Sequence, residues 1–119
     1  SNDVGVPEMT EKNFRKIIEF LIVNGIVPII GTKADRYEDS NNTNNLMMRR
    51  LATEYNIPLW DFDLVAQTMP NRGLEQDSVH MMSFFAHDYT SPTAFERGHS
   101  VHNLTALIAL DAVWRVIAE

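Results

Sequence analysis

Cysteine is absent from the 119 residues, which excludes a thiol nucleophile, a thiolate metal site and any disulfide staple. Glycine and proline number only five each and form no cluster, so no low-complexity or linker block interrupts the chain. Long apolar runs are missing too. The best candidate, residues 17–30, is broken by Glu19, Asn24, Gly25 and Pro28, far short of the roughly 20 apolar residues a membrane span requires. Basic residues are scarce, 10 Lys and Arg against 16 Asp and Glu for a formal net charge of −6. They are also scattered, with Arg49-Arg50 the densest pair, so a nucleic-acid backbone is not the expected partner. No initiator methionine and no signal-peptide pattern is present. Ser1 is therefore not expected to be a natural boundary, and the compartment is left open.

What remains is an ordinary globular composition, 45% apolar, enough for one core and one domain. After Pro7, Thr10 is placed to cap a helix carrying Phe14, Ile17, Ile18, Leu21 and Ile22 at helical spacing, stopped by Asn24-Gly25. Ile26 to Ile30 is a short β-branched run ended by Gly31 and reads as a buried strand, although Pro28 lacks a ladder donor. A polar loop over residues 32–45 leads to a second helix with Leu46, Met47, Leu51, Ala52 and Tyr55, stopped by Asn56. Ile57 to Phe62 gives a second short strand. This alternation predicts βαβ units and a parallel sheet with right-handed crossovers. From Thr68 to Arg97 the periodicity fades into a long irregular stretch of the kind that carries function. Gly98 then precedes a helix of roughly twenty residues with Ala106, Leu107, Leu110, Val113, Trp114 and Ile117 along one stripe. Trp60, Trp114 and the methionines Met47, Met48, Met81 and Met82 are expected to pack in the core or under loops.

Asp77-Ser78-Val79-His80 is the most informative cluster. It follows the second strand, and in open parallel sheets reactive groups gather on loops beyond the carboxyl ends of strands. A carboxylate that holds one imidazole nitrogen leaves the other to act as a base toward a nucleophile. Asp-x-x-His is a weak signal alone, since two residue types at one spacing recur by chance.

Three blocks together resemble the SGNH/GDSL family of serine ester hydrolases. Ser1-Asn2-Asp3 is similar to the end of the family's Gly-x-Asn-Asp block, residues 45 to 61 resemble its helix and strand ending in aspartate, and Asp77 to His80 with Gly98 resembles its closing Asp-x-x-His block and last helix. The resemblance implies a three-layer αβα fold with a parallel, flavodoxin-like sheet, incomplete here, residues 1–119 forming the C-terminal portion of a single hydrolase domain. It implies His80 as general base, Asp77 as its orienter, Asn2 in the oxyanion hole and a small carboxylic ester as substrate, an acetylated sugar or a lipid. No cofactor and no metal belong to this reading. The family's Gly-Asp-Ser nucleophile block is absent: none of the six serines lies in a Gly-Asp-Ser or Gly-x-Ser-x-Gly setting. The chain alone is thus expected to be inactive, and its truncated sheet to favour homodimerisation or pairing with the missing N-terminal part. The stretch from Met81 to Arg97 is longer than the family's usual loop, which makes His99 the reserve base.

Competing expectations stand beside this one. A domain of the same fold could serve interaction or carbohydrate binding without catalysis. Alternatively His87, Asp88, His99 and His102 with Asp77 and His80 could hold a metal for a metal-dependent hydrolase, although their spacing matches no short zinc motif. Asp61 and Asp63 are expected to be structural.

Overall fold

The computed structural model describes residues 6–119. Helix α1 (Pro7–Val23) starts on proline, whose fixed φ suits the first turn, with Glu8 facing the positive end of the helix dipole. The expected cap at Thr10 is corrected: Thr10 lies inside the helix and its hydroxyl bonds Val6 O. The stop is as expected. Gly25 sits at φ +72° and the N–H of Ile26 returns to Leu21 O at 2.9 Å.

That closing bond trims the first strand. Ile26 spends its N–H on the helix end and Pro28 has none, so the ladder of β1 is confined to Ile30–Gly31. The second strand, β2 (Leu59–Trp60), is cut down in the same way, because the N–H of Ile57 closes the preceding helix on Ala52 O and Pro58 has none. The two strands are parallel, Ile30 opposite Leu59 and Gly31 opposite Trp60. Helix α2 (Thr43–Tyr55) joins them. Asp39 accepts the N–H and hydroxyl of Thr43 at its start, and Asn56 in the left-handed region ends it. A further short helix, α3 (Phe62–Ala66), begins where the longer strand was expected to continue. The irregular stretch contains 3₁₀ turns at Pro70–Gly73 and Pro92–Glu96, and α4 (Gly98–Ile117) closes the chain. No helix among the described residues is long and apolar enough to cross a membrane.

Neighbouring strand residues point to opposite faces, which splits the core in two. Ile30 packs with Ile18, Met47, Met48, Leu51 and Ala52 between α1 and α2. On the other side Phe62, Ala66, Met69, Leu74 and Val101 cluster with Trp60 under the start of α4. Trp60 donates its indole N–H to Thr105 at 3.0 Å. His102 is half-buried, its ring 4.5 Å from that of Trp60 and 4.9 Å from that of Phe62.

Between the carboxyl ends of the strands lies a network of charges. Arg49 forks onto Asp61 with two bonds of 3.0 Å and reaches the fully buried Asp63 at 2.9 Å. Thr32 donates to Asp61 and accepts the N–H of Asp63. Burial pushes the Asp61 carboxyl up, but Arg49 and Thr32 together hold it below the usual carboxylate range.

Only the first half of α4 finds a core. Of its apolar stripe, Leu107, Leu110, Trp114 and Ile117 are exposed, and so are Ile17, Phe20 and Val23 on α1. The expectation of a core Trp114 is corrected: Trp114 is exposed, and in the second half of α4 only Ala109 and Val113 are half-buried, beside Val27, Ile29 and Leu59. The molecule is a slab with extents of 41 × 38 × 18 Å. Its accessible surface of 7566 Å² exceeds the about 6,600 Å² typical of a monomer of its mass of 13.6 kDa.

Replacing Arg49 by methionine strands Asp63 without its cation while Asn42 and Gln67 still donate to it. The expected loss is about 3 kcal/mol of folding stability, read from the urea midpoint at constant slope; a loss under about 0.5 kcal/mol, the scale of a surface change, would show the network to be ornamental.

Candidate functional site

The site begins with a contact between two backbones. Gly73 lies at φ +72°, and a Cβ added there would meet the Cα of Gly98 at 2.7 Å. A Cβ on Gly98 would lie 2.3 Å from the carbonyl oxygen of Gly73. Only glycine at both positions allows the chain after α3 to touch the start of α4 this closely.

From this contact a small hairpin projects. Met82 donates its N–H to Gly73 O at 2.8 Å, Leu74 and Met81 form an antiparallel bridge, and Glu75 donates to His80 O at 2.8 Å. Its far end ties to α4 through the N–H of His99 on Met82 O at 3.0 Å. The tip is Asp77-Ser78-Val79-His80, with Ser78 at φ 54°.

At this tip the two expected residues meet. Asp77 Oδ1 accepts the N–H groups of Val79 at 2.9 Å and His80 at 3.1 Å, and Oδ2 lies 2.7 Å from His80 Nδ1. The His80 ring, then the two N–H groups, lower the Asp77 pKa from 3.8 to about 2. With Nδ1 protonated and donating to the carboxylate, Nε2 carries the lone pair of a base. The imidazole is 78% exposed, and among the described residues no serine hydroxyl bonds it. His80 Nε2 has no protein hydrogen-bond partner among the described residues.

The hairpin is also clasped to the loop that leaves β1. Arg72 pairs with Asp35 and its guanidinium lies 3.9 Å from the ring centroid of Tyr37. Tyr37 donates to Asn71 at 3.4 Å, and Asn71 in turn donates to Leu74 O and Glu75 O. These contacts place the dyad on the rim beyond the carboxyl ends of the strands, where the topology calls for reactive groups. Asn71 and Arg72 both have positive φ, and Asn-x-Gly turn chemistry was the available signal for them. Their long-range partners Asp35 and Tyr37 left none in the sequence.

Other candidates are placed elsewhere. Asp61 and Asp63 belong to the Arg49 network. His102 stacks in the second core cluster, where burial and then the neighbouring His99 lower its pKa. Among the described residues no three His, Asp or Glu side chains are arranged to hold a metal ion. Asn2 lies outside the described residues.

Two measurements test this geometry. The side-chain carboxyl signal of Asp77 should titrate near pH 2; because its pKa is lowered by folding, its contribution to stability is present above pH 3.8 and is lost as pH falls through 2. In Asp77→Asn the nitrogen shifts of His80 should lose the Nδ1-protonated form, and an unchanged tautomer would show that the carboxylate does not orient the ring. Separately, Gly98→Ala should cost about 1–3 kcal/mol by overpacking against Gly73 O, with the His99 N–H exchanging faster.

No protein-family model, curated protein or solved structure matches the chain.

Proposed function

We propose that the chain is the C-terminal part of an SGNH-type serine ester hydrolase domain of three-layer αβα architecture, acting on carboxylic esters. The observation that carries this reading is the 2.7 Å contact between Asp77 Oδ2 and His80 Nδ1 on the rim beyond the strands. In the reaction, His80 Nε2 takes the proton of a serine hydroxyl as its oxygen bonds the ester carbonyl carbon. His80 then returns that proton to the alkoxide as the carbon–oxygen bond to the alcohol breaks, and water releases the acyl group by the same two proton transfers. Asp77 fixes the tautomer and stabilises the imidazolium. The resemblance assigns Asn2 to the oxyanion hole and the nucleophile to a Gly-Asp-Ser block beyond this sequence.

The open side of the sheet supports a further part of the domain. In β1 the N–H groups of Ile30 and Thr32 go to β2, so those of Ile29 and Gly31 face away by alternation. Helix α1 packs with α2 on one face, and under the right-handed crossover rule a helix there that leads into β1 comes from a parallel strand on its far side. Exposed apolar residues of α1 and α4 flank that position. A groove of about 340 Å³ lined by Val27, Ile29, Leu59, Val113 and Val116 adjoins it.

A non-catalytic domain of the same fold is the second reading, favoured by the absence of a described serine bonded to His80. Fluorophosphonate labelling of the natural-length polypeptide separates them. Labelling of one serine outside residues 1–119, falling roughly 10³-fold or more with His80→Ala, is expected; a folded natural-length protein that takes no label leaves the non-catalytic domain. Hydrogen exchange on the same protein should find the amides of Ile29 and Gly31 protected.

A further inference from the structure

Residues 71–73 form a left-handed turn, with Asn71 at φ 44°, Arg72 at 56° and Gly73 at 72°. Its backbone bonds close at both ends, the N–H of Arg72 on Met69 O and that of Leu74 on Asn71 O, each at 3.0 Å. For L-residues this conformation presses Cβ toward the following carbonyl oxygen, so glycine enters it freely and asparagine with the help of its short amide. Asn71 has that help, donating to Leu74 O at 3.2 Å and to Glu75 O at 2.9 Å. Arg72 has neither advantage.

What Arg72 has is long-range. Its guanidinium bonds the Asp35 carboxylate and, at 3.3 Å, the Asp35 carbonyl oxygen, and it lies 3.9 Å from the ring centroid of Tyr37. Asp35 is 7% exposed and is itself fixed, accepting the N–H of Tyr37 at 2.9 Å. Tyr37 is left-handed too, at φ 61°. A bulky residue stays in this region only where its surroundings over-determine it. Here a buried carboxylate, a carbonyl and an aromatic face do so from the loop after β1.

The turn is the root of the dyad hairpin. Gly73, its last residue, takes the N–H of Met82 at 2.8 Å, Leu74 bridges Met81, and Glu75 donates to His80 O. A backbone rotation at residue 72 therefore swings the hairpin and the tip that carries Asp77 and His80. The contact between those two side chains is local to the tip and needs nothing from Arg72.

We propose that Arg72 is a positioning residue: Asp35 and Tyr37 hold it left-handed, and that backbone conformation aims His80 across the rim. The use of this aim in catalysis rests on the esterase reading; the hold on the hairpin does not. An ion pair that only added stability would make glycine at position 72 worse than alanine, because glycine loses more backbone freedom on folding. A pair that holds a left-handed residue makes alanine worse.

The test compares Arg72→Ala with Arg72→Gly in the natural-length polypeptide by hydrogen exchange. The N–H groups of Glu75, Met82 and His99 should exchange about 3–10-fold faster in Arg72→Ala than in Arg72→Gly. Equal rates, or faster exchange in Arg72→Gly, overturn the proposal. Asp35→Asn serves where Arg72→Ala does not fold: it removes the counter-charge with Arg72 in place, and unchanged exchange of the same three amides would equally overturn the proposal. Fluorophosphonate gives the second readout. In Arg72→Ala the maximal labelling rate should fall about 10-fold or more, and Arg72→Gly should recover part of it. The half-saturating concentration, the Asp77 titration near pH 2 and the Nδ1-protonated form of His80 should stay as they are. An undiminished labelling rate in Arg72→Ala, even with exchange in the expected order, overturns the positioning role. An unsubstituted protein that takes no label removes the esterase reading, and the exchange order then decides alone whether Arg72 holds the hairpin.

Discussion

The backbone contact between Gly73 and Gly98 is the constraint on which the site depends. It brings the chain that follows α3 against the first turn of α4, at a separation that no side chain tolerates. Everything beyond it inherits its position: the bridge of Leu74 with Met81, the turn at Asp77 to His80, and the tie from Met82 to His99. The Arg72 clasp then fixes the hairpin to the loop after β1. Two short-range turns and one close backbone approach thus set an exposed dyad in a defined place.

The carboxylates of the rim divide by environment. Asp63 is fully buried and Asp61 partly so; Arg49 and Thr32 bond Asp61, and Arg49, Asn42 and Gln67 all bond Asp63 Oδ2, while Asp63 Oδ1 has no partner among the described residues. Removing such a charge from water demands fixed partners, and these bonds hold α2 to the ends of β1 and β2. Asp77 is exposed, binds one ring nitrogen and two N–H groups of its own turn, and stays ionised far below neutral pH. A group that orients a base needs charge and geometry more than burial.

Both the dyad and the sheet have an open side among the described residues. The dyad lacks a described proton donor, and the side of β1 away from β2 lacks a described strand. A parallel strand added there would end on the same rim as His80.

By itself the sequence determined the local elements whose signals are local. Asn24-Gly25 and Asn56 ended their helices, Gly98 opened the last one, and Asp77 with His80 formed a dyad because three residues of turn suffice to join them. Buried Met47, Leu51 and Ala52 followed from helical spacing, although Leu46 of the same stripe is exposed. What only the tertiary structure decided involves groups distant in sequence. The strands shrank to two residues each because helix-closing bonds and prolines consumed their donors, and strand length depends on pairing more than on composition. His102 became a ring stacked on Trp60 and Phe62, and Arg72 found Asp35 and Tyr37 across the rim. Trp114 was left exposed, since an apolar stripe sets which residues share a helix face but not what packs against that face.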